Sequence, residues 1–349
     1  MDTLDSLLPT KIKRQIIAGI FNCEIDSLVI SELFSFSDNY FAYYIKSLES
    51  CRSNSLISSH RDIVSLLASV QKPDATRRSI EELLQERLAD EEKEEPEEII
   101  DDAVDLTLRL LLMVPTGRHT TASRSVTLSG GTKFNWKGGT IQELVQREFG
   151  LQNSIKEPIK LEKIFNARNL ERIAGVEVRW TCNLADHLRM RDDDKAVEIF
   201  HYATYLKLHQ NERSTLPKPF VDETLRTLAL LLPEHDKNIE TWFSKHKTKL
   251  QKRRKLPLDP LARECGQLKV EERQIDQFHY WHDRLVILKQ VFDEAEPRNI
   301  KQWWRDRRRR VQWYTFWVAA VVLALTVFFG TVQSVEGAMQ VWLAMKGPK

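Results

Sequence analysis

Cysteine is scarce in this chain. Its 349 residues contain four, Cys23, Cys51, Cys182 and Cys265, and none forms a C-x-x-C pair. Thiols so few and so scattered exclude a disulfide framework and fit free cysteines in a reducing compartment. Glycine and proline, at 12 each, are too sparse for a fibrous or low-complexity chain. Neither charge is in excess: 52 Lys and Arg face 50 Asp and Glu, a net charge of +2. That balance removes bulk attraction to nucleic acid as an organising theme. Also missing are the phosphate-loop order G-x-x-x-x-G-K-[ST], a dinucleotide fingerprint, a kinase signature set and a paired-carboxylate motif. Residues 1–21 carry Asp2 and Asp5 and lack the basic-then-apolar pattern of a secretory leader. What is left is 42% hydrophobic and 29% charged. That is the make-up of a folded chain, with one large domain or two ordinary ones.

Long apolar runs are absent too, until near the C-terminus. From Val311 to Val335 no side chain is charged. As a helix this run measures about 37 Å at 1.5 Å per residue, against a hydrocarbon core of about 30 Å. Phe316, Val318, Val321, Val322, Leu323, Leu325, Val327, Phe328 and Phe329 together favour insertion by roughly 3–5 kcal/mol. Trp303, Trp304, Arg305, Arg307, Arg308, Arg309 and Arg310 precede the run, and Trp313, Tyr314 and Trp317 lie at its start. Aromatic rings settle at headgroup level while arginines snorkel to phosphates, so these residues form the expected membrane-interface collar. The arginines before the span outnumber Lys346 and Lys349 beyond it, which puts the N-terminal bulk in the cytosol. The sequence therefore predicts a tail-anchored, single-pass membrane protein. The endoplasmic reticulum or another endomembrane is its favoured address.

Residues 1–85 read as short helices, with apolar steps of three and four as in Phe41, Tyr44, Ile45 and Leu48. Ser79 and Glu82 form an S-x-x-E capping pattern ahead of a helix. Residues 86–105 are strongly acidic. They read as a hinge or a solvated helix face, able to dock a basic partner or the basic run described below. Residues 106–296 read as an α+β unit. Within it, 125–140 suggests two strands turning at Gly130 and Gly131, with Gly138 and Gly139 leading into a helix. Residues 176–181 read as a strand, and 196–202 as its partner after a bend at Asp192–Asp194. Asp222 is the expected cap of a buried helix stopped by Pro233. Phe278, Trp281, Leu285, Leu288 and Phe292 mark the core-facing seam of an amphipathic helix. Residues 297–312 are expected to form a juxtamembrane basic and aromatic helix, 313–335 the transmembrane helix, and 336–349 a short tail on the far side. The fold class expected is mainly α (α+β): a helical cytosolic domain with a small β-hairpin-containing unit and one C-terminal transmembrane helix.

Candidate chemistry is thin. His279 and His282 stand three apart and could face one metal, but nothing nearby completes a zinc pattern. Cys182, Asp186 and His187 offer the residue types of a thiol nucleophile and its base, yet they share one turn, where such groups normally converge from distant segments. A structural turn is the simpler reading. The run Lys245, Lys247, Lys249, Lys252, Arg253, Arg254 and Lys255 suits a solvated helix face, anionic lipid, or nuclear import. Nucleic-acid binding is the weakest option, since no aromatic residues interleave. No cofactor and no metal are expected.

Four blocks, residues 169–188, 223–233, 280–297 and 302–319, resemble an uncharacterised family of filamentous-fungal proteins that end in one membrane span. The likeness covers roughly residues 120–345, and its most specific part is the aromatic and arginine block before the span. The resemblance implies topology and source; it carries over no catalytic residue. It also implies an acid where Cys182 stands, which weakens a cysteine-nucleophile reading further. The functional expectation is a membrane-tethered cytosolic interaction or scaffold protein with a protein partner, more simply non-enzymatic. A membrane-bound hydrolase or transferase with an unrecognised site is the alternative, and a nuclear-envelope tether using the basic run is a third.

Overall fold

A computed structural model describes residues 8–22, 34, 37–49, 56–88, 96–116, 130–151, 159–211, 213–253, 255–295, 310–345 and 347. The chain divides into two units. One holds the residues up to Glu294 apart from Arg172–Gly175; the other holds those four with Ala295–Lys349. The architecture is mainly helical with a small three-stranded sheet.

The first unit is built on α1 (Thr10–Phe21), α2 (Asp38–Glu49), α3 (His60–Val70), α4 (Arg77–Leu88) and α5 (Pro96–Leu112). α5 is its centre. Ile100, Ala103, Val104, Thr107, Leu108 and Leu111 recur at helical spacing and are buried, while Glu97, Glu98 and Asp102 stay exposed. Residues 96–105 of the acidic stretch are therefore part of a core helix and not a hinge, with Glu97, Glu98 and Asp102 on its outer face. Asp101 and Asp105 of this stretch ion-pair with Arg77 and Arg109. Residues 89–95 lie outside the described residues.

Local capping explains several helix starts. Ser59 and Asp62 form a capping box at α3. At α4 the cap is Thr76: its hydroxyl accepts from the Ser79 N–H at 3.2 Å, and Ser79 Oγ accepts from the Thr76 N–H at 2.9 Å. The helix thus begins two residues before the expected Ser79, which takes the inner position of the box. Thr140 and Glu143 form a third box, at α6 (Ile141–Glu148).

A short helix α7 (Ala167–Asn169) runs into a π-turn at Leu170–Ala174 and leads to β1 (Glu177–Thr181). β2 (Met190–Arg191) and β3 (Ala196–Phe200) follow, in the spatial order β1-β3-β2. β1 and β3 do pair, but in parallel, Val178 opposite Val197. The hairpin is β2 with β3, turned by Asp192, Asp193 and Asp194 at φ of 54°, 51° and 61°. Asp tolerates that left-handed region better than most residues. No strand forms in 130–140: Phe134 makes only an isolated bridge to Thr116, and residues 117–129 lie outside the described residues.

Next come α8 (Ala203–Leu208), α9 (Lys218–Leu231), α10 (Lys237–Lys252) and α11 (His282–Glu294). α9 starts after Pro217, so Asp222 is not its cap; its carboxylate accepts from Gln210 Nε2 at 2.7 Å instead. The seam residues Phe278, Trp281, Leu285, Leu288 and Phe292 are all buried, although Phe278 and Trp281 precede the helix.

In the second unit α12 spans Arg310–Met345 without a break, about 54 Å at 1.5 Å per residue. It continues through the expected far-side tail as far as Met345. Among the described residues this is the one helix long and apolar enough to cross a membrane, over Tyr314–Met345. The residues 296–309, which hold Trp303, Trp304, Arg305, Arg307, Arg308 and Arg309, lie outside the described ones.

Candidate functional site

Three places hold the residues that the sequence singles out. The first is the turn after β1. Cys182 borders a cavity of about 260 Å³ whose wall also includes Tyr43, Lys46, Arg109, Trp180, Asp186 and Glu198. The cavity thus joins the thiol to carboxylates, as a hydrolase would need. The chemistry does not follow. Burial pushes the Cys182 thiol up, and the nearby Lys46 and Arg109 oppose this without reversing it. Asp186, buried, accepts from the Thr132 N–H at 3.0 Å, Thr132 Oγ1 at 2.6 Å and Asn183 Nδ2 at 2.7 Å. Arg189 adds an ion pair at 3.1 Å. Glu198 is held by Arg191 at 2.9 Å.

His187 is not in that wall. Its ring is fully buried, with Nε2 2.7 Å from Thr227 Oγ1, and Nδ1 accepts from the Phe200 N–H at 3.1 Å. Nδ1 is therefore the unprotonated nitrogen and Nε2–H donates to Thr227, whose own hydroxyl donates to the Thr224 carbonyl at 2.6 Å. Burial, with Arg284 nearby, lowers the His187 pKa to about 3. The base thus faces away from the thiol. Cys182, Asp186 and His187 form a structural turn.

The glycines in the two GGT repeats turn out to deliver their threonines. Gly131 brings Thr132 onto Asp186; a Cβ there would lie 3.0 Å from Asp186 Oδ2, so only glycine fits without a shift. Gly139, at φ +74°, places Thr140 at the cap of α6.

The second place is α10, which carries the basic run. Ile239, Trp242 and Phe243 bury its inner face. A chain of polar contacts fixes it there. Trp180 Nε1 donates to His246 Nδ1 at 3.1 Å, and Glu171 accepts from Trp242 Nε1 at 2.6 Å and lies 3.3 Å from His246 Nε2. Glu171 stays below its ordinary carboxyl pKa because the His246 and Trp242 hydrogen bonds outweigh the desolvation that raises it. On the outer side Lys245, Lys247, Lys249, Lys252, Arg253 and Lys255 are exposed; Arg254 lies outside the described residues. Sequence spacing cannot show the anchoring, since Glu171 lies 75 residues from His246.

The His279 N–H donates to Glu223 at 2.7 Å, while His282 Nδ1 lies 3.1 Å from Asp283. Among the described residues no group of three His, Cys, Asp or Glu is placed to hold a metal ion. Glu223 is a residue that sequence reasoning missed. Buried inside α9, it accepts from three successive N–H groups, those of His279, Tyr280 and Trp281, at 2.7, 2.7 and 2.8 Å, and so fixes the turn that leads into α11.

The third place is α12. Leu323 is 66% exposed and Phe328 59%, and the window that best fits a span is 0% buried. Thr326 Oγ1 donates to the Val322 carbonyl at 2.8 Å and Ser334 Oγ to that of Gly330 at 2.8 Å, so the helix satisfies its own hydroxyls. Tyr314 and Trp317 fall in its first turns. Arg310 and Trp313 also belong to the helix. Comparison of the chain with family models, with curated proteins and with solved structures finds no match.

Proposed function

We propose that the protein is a single-pass membrane protein whose folded unit acts in the cytosol as an interaction or scaffold module. The observation that carries this reading is α12: a continuous apolar helix with large side chains exposed around its whole circumference. In water such a helix would present valine, leucine and phenylalanine without a covering partner, whereas in hydrocarbon the same surface is matched. Cytosolic placement of the folded unit is supported by the arginines before the span. The likeness to fungal chains that end in one span supports the same topology, and an endomembrane such as the endoplasmic reticulum is the proposed site.

The cavity beside Cys182 favours binding over catalysis, because Asp186 is committed to Thr132, Asn183 and Arg189, Glu198 is paired with Arg191, and His187 does not line it. The test is extraction of membranes from cells expressing the full chain. The protein stays in the pellet in alkaline carbonate and moves to the supernatant only in detergent. A glycosylation acceptor fused after Lys349 becomes modified if that end lies in the lumen of the endoplasmic reticulum. Release by carbonate alone would overturn the membrane assignment. An unmodified acceptor on a carbonate-resistant chain would overturn the address or the orientation.

A further inference from the structure

We propose that the outer face of α10 is a docking surface for the anionic headgroups of the bilayer that holds the chain. The inference rests on the membrane reading of α12. Lys245, Lys249 and Lys252 stand at i, i+4 and i+7 and share one face of the helix. With Arg253 they line an open groove that also contains Thr241, Ser244 and Thr248. Small hydroxyl side chains between the cations leave the groove shallow enough for a flat, charged surface to approach.

Three observations favour lipid over a merely solvated face. No ion pair involves Lys245, Lys247, Lys249, Lys252, Arg253 or Lys255 among the described residues, although the chain as a whole has 50 acids to offer. The one acid bordering the groove, Glu240, is turned to Arg263 at 3.5 Å. Secondly, a helix C-terminus favours cations only within its last turn, which accounts for Lys249 and Lys252 and leaves Lys245 and Lys247 unexplained. Thirdly, the stretch 296–309 can span no more than about 50 Å when fully extended. The bilayer is therefore an anion-bearing surface tethered to the same chain, where each Lys or Arg adds attraction that decays over a Debye length of about 8–10 Å. The groove has no aromatic side chain in its lining, so it lacks the stacking platform that a single-stranded nucleic acid would use. The anchors Trp242, buried, and His246, partly buried, hold the face in place, so a membrane meets a preformed row of charge.

The experiment uses the full chain reconstituted into lipid nanodiscs, either of phosphatidylcholine alone or with about one third phosphatidylserine, at low salt. Brief trypsin digestion followed by mass spectrometry reads the cleavage rate within Lys245–Lys255. Cleavage at Arg78, exposed on α4, serves as the internal reference. Docking slows cleavage of the run about tenfold in the anionic discs, and about 0.5 M salt restores it. Equal rates in the two discs overturn the proposal, as does protection that is the same in neutral discs or that survives salt. Protection by an added oligonucleotide in neutral discs, with none from phosphatidylserine, would assign the face to nucleic acid instead. A chain that does not enter discs at all defeats the membrane reading, which separates that failure from this one.

Discussion

α5 ends inside the protein, where the last carbonyls of a helix have no partner of their own. Three phenols bond to them, the Arg109 carbonyl also accepting from the Met113 N–H at 3.0 Å. Tyr43, Tyr40 and Tyr205 donate to the carbonyls of Arg109, Leu110 and Leu111 at 3.1, 2.8 and 2.7 Å. Replacing Tyr205 by Phe keeps the ring in place and removes the phenol's hydrogen bond to the Leu111 carbonyl. The expected cost is about 1–3 kcal/mol, read as a lower urea midpoint with an unchanged slope. The buried histidines set the acid limit. His187, His201 and His209 are each lowered to about 3, mainly by burial. Below pH 6.5 the unfolded chain takes up protons that these folded rings refuse, so stability is lost as pH falls from 6.5 toward 3. At pH 4.5 each ring contributes an upper-limit loss of about 2–3 kcal/mol. Asp259 works the other way: raised to about 6 by burial, it recovers some stability as pH falls from 6 toward 3.8. Three rings outweigh one carboxyl, so the urea midpoint drops between pH 7 and 4.5. A flat profile over that range would contradict the buried, neutral state of the rings.

Elements announced by a local pattern were legible. The uncharged run of α12, the heptad-like seam before and along α11, and the strand composition of β1 and β3 all stand where periodicity and residue type put them. What failed was pairing and polarity. Strand composition does not encode direction, and the crossover through residues 182–189 makes β1 and β3 parallel. The capping pattern at Ser79 looked complete by itself, but Thr76 offers the same reciprocal bonds one turn earlier. Glu223 and Glu171 act on backbone and side chains more than fifty residues away, which no window reveals. For α12 the pattern predicts its own test. Leu323→Arg places a guanidinium near the middle of the span, at a cost of about 2.5–3.5 kcal/mol for insertion. The integrated fraction in an insertion assay falls sharply, while Leu343→Arg near the far end costs less because the side chain can snorkel.

At the scale of the whole folded unit, charge composition misled and helical spacing did not. The acids of 86–105 drew attention to a boundary, yet Ile100, Ala103, Val104 and Leu108 between and after them build the centre of the core. Aromatic contacts join the two sides of that supposed boundary. Phe21 meets Tyr205 at 5.6 Å and His209 at 4.7 Å, and Tyr43 meets Tyr202 at 5.8 Å. Each side therefore buries apolar surface that the other would leave in water, and neither half holds a closed core. A protease recognition sequence placed within 117–129 of the full chain tests this. After cleavage the halves stay together through gel filtration in detergent, and the unit melts in one transition. Mixing in about 2 M urea, below the global midpoint of a typical domain, should leave them associated. Halves that part on cleavage while each keeps its helical signal would mean two independent domains. The contact of Tyr205 with the end of α5 would then be part of a docking interface, not of a core.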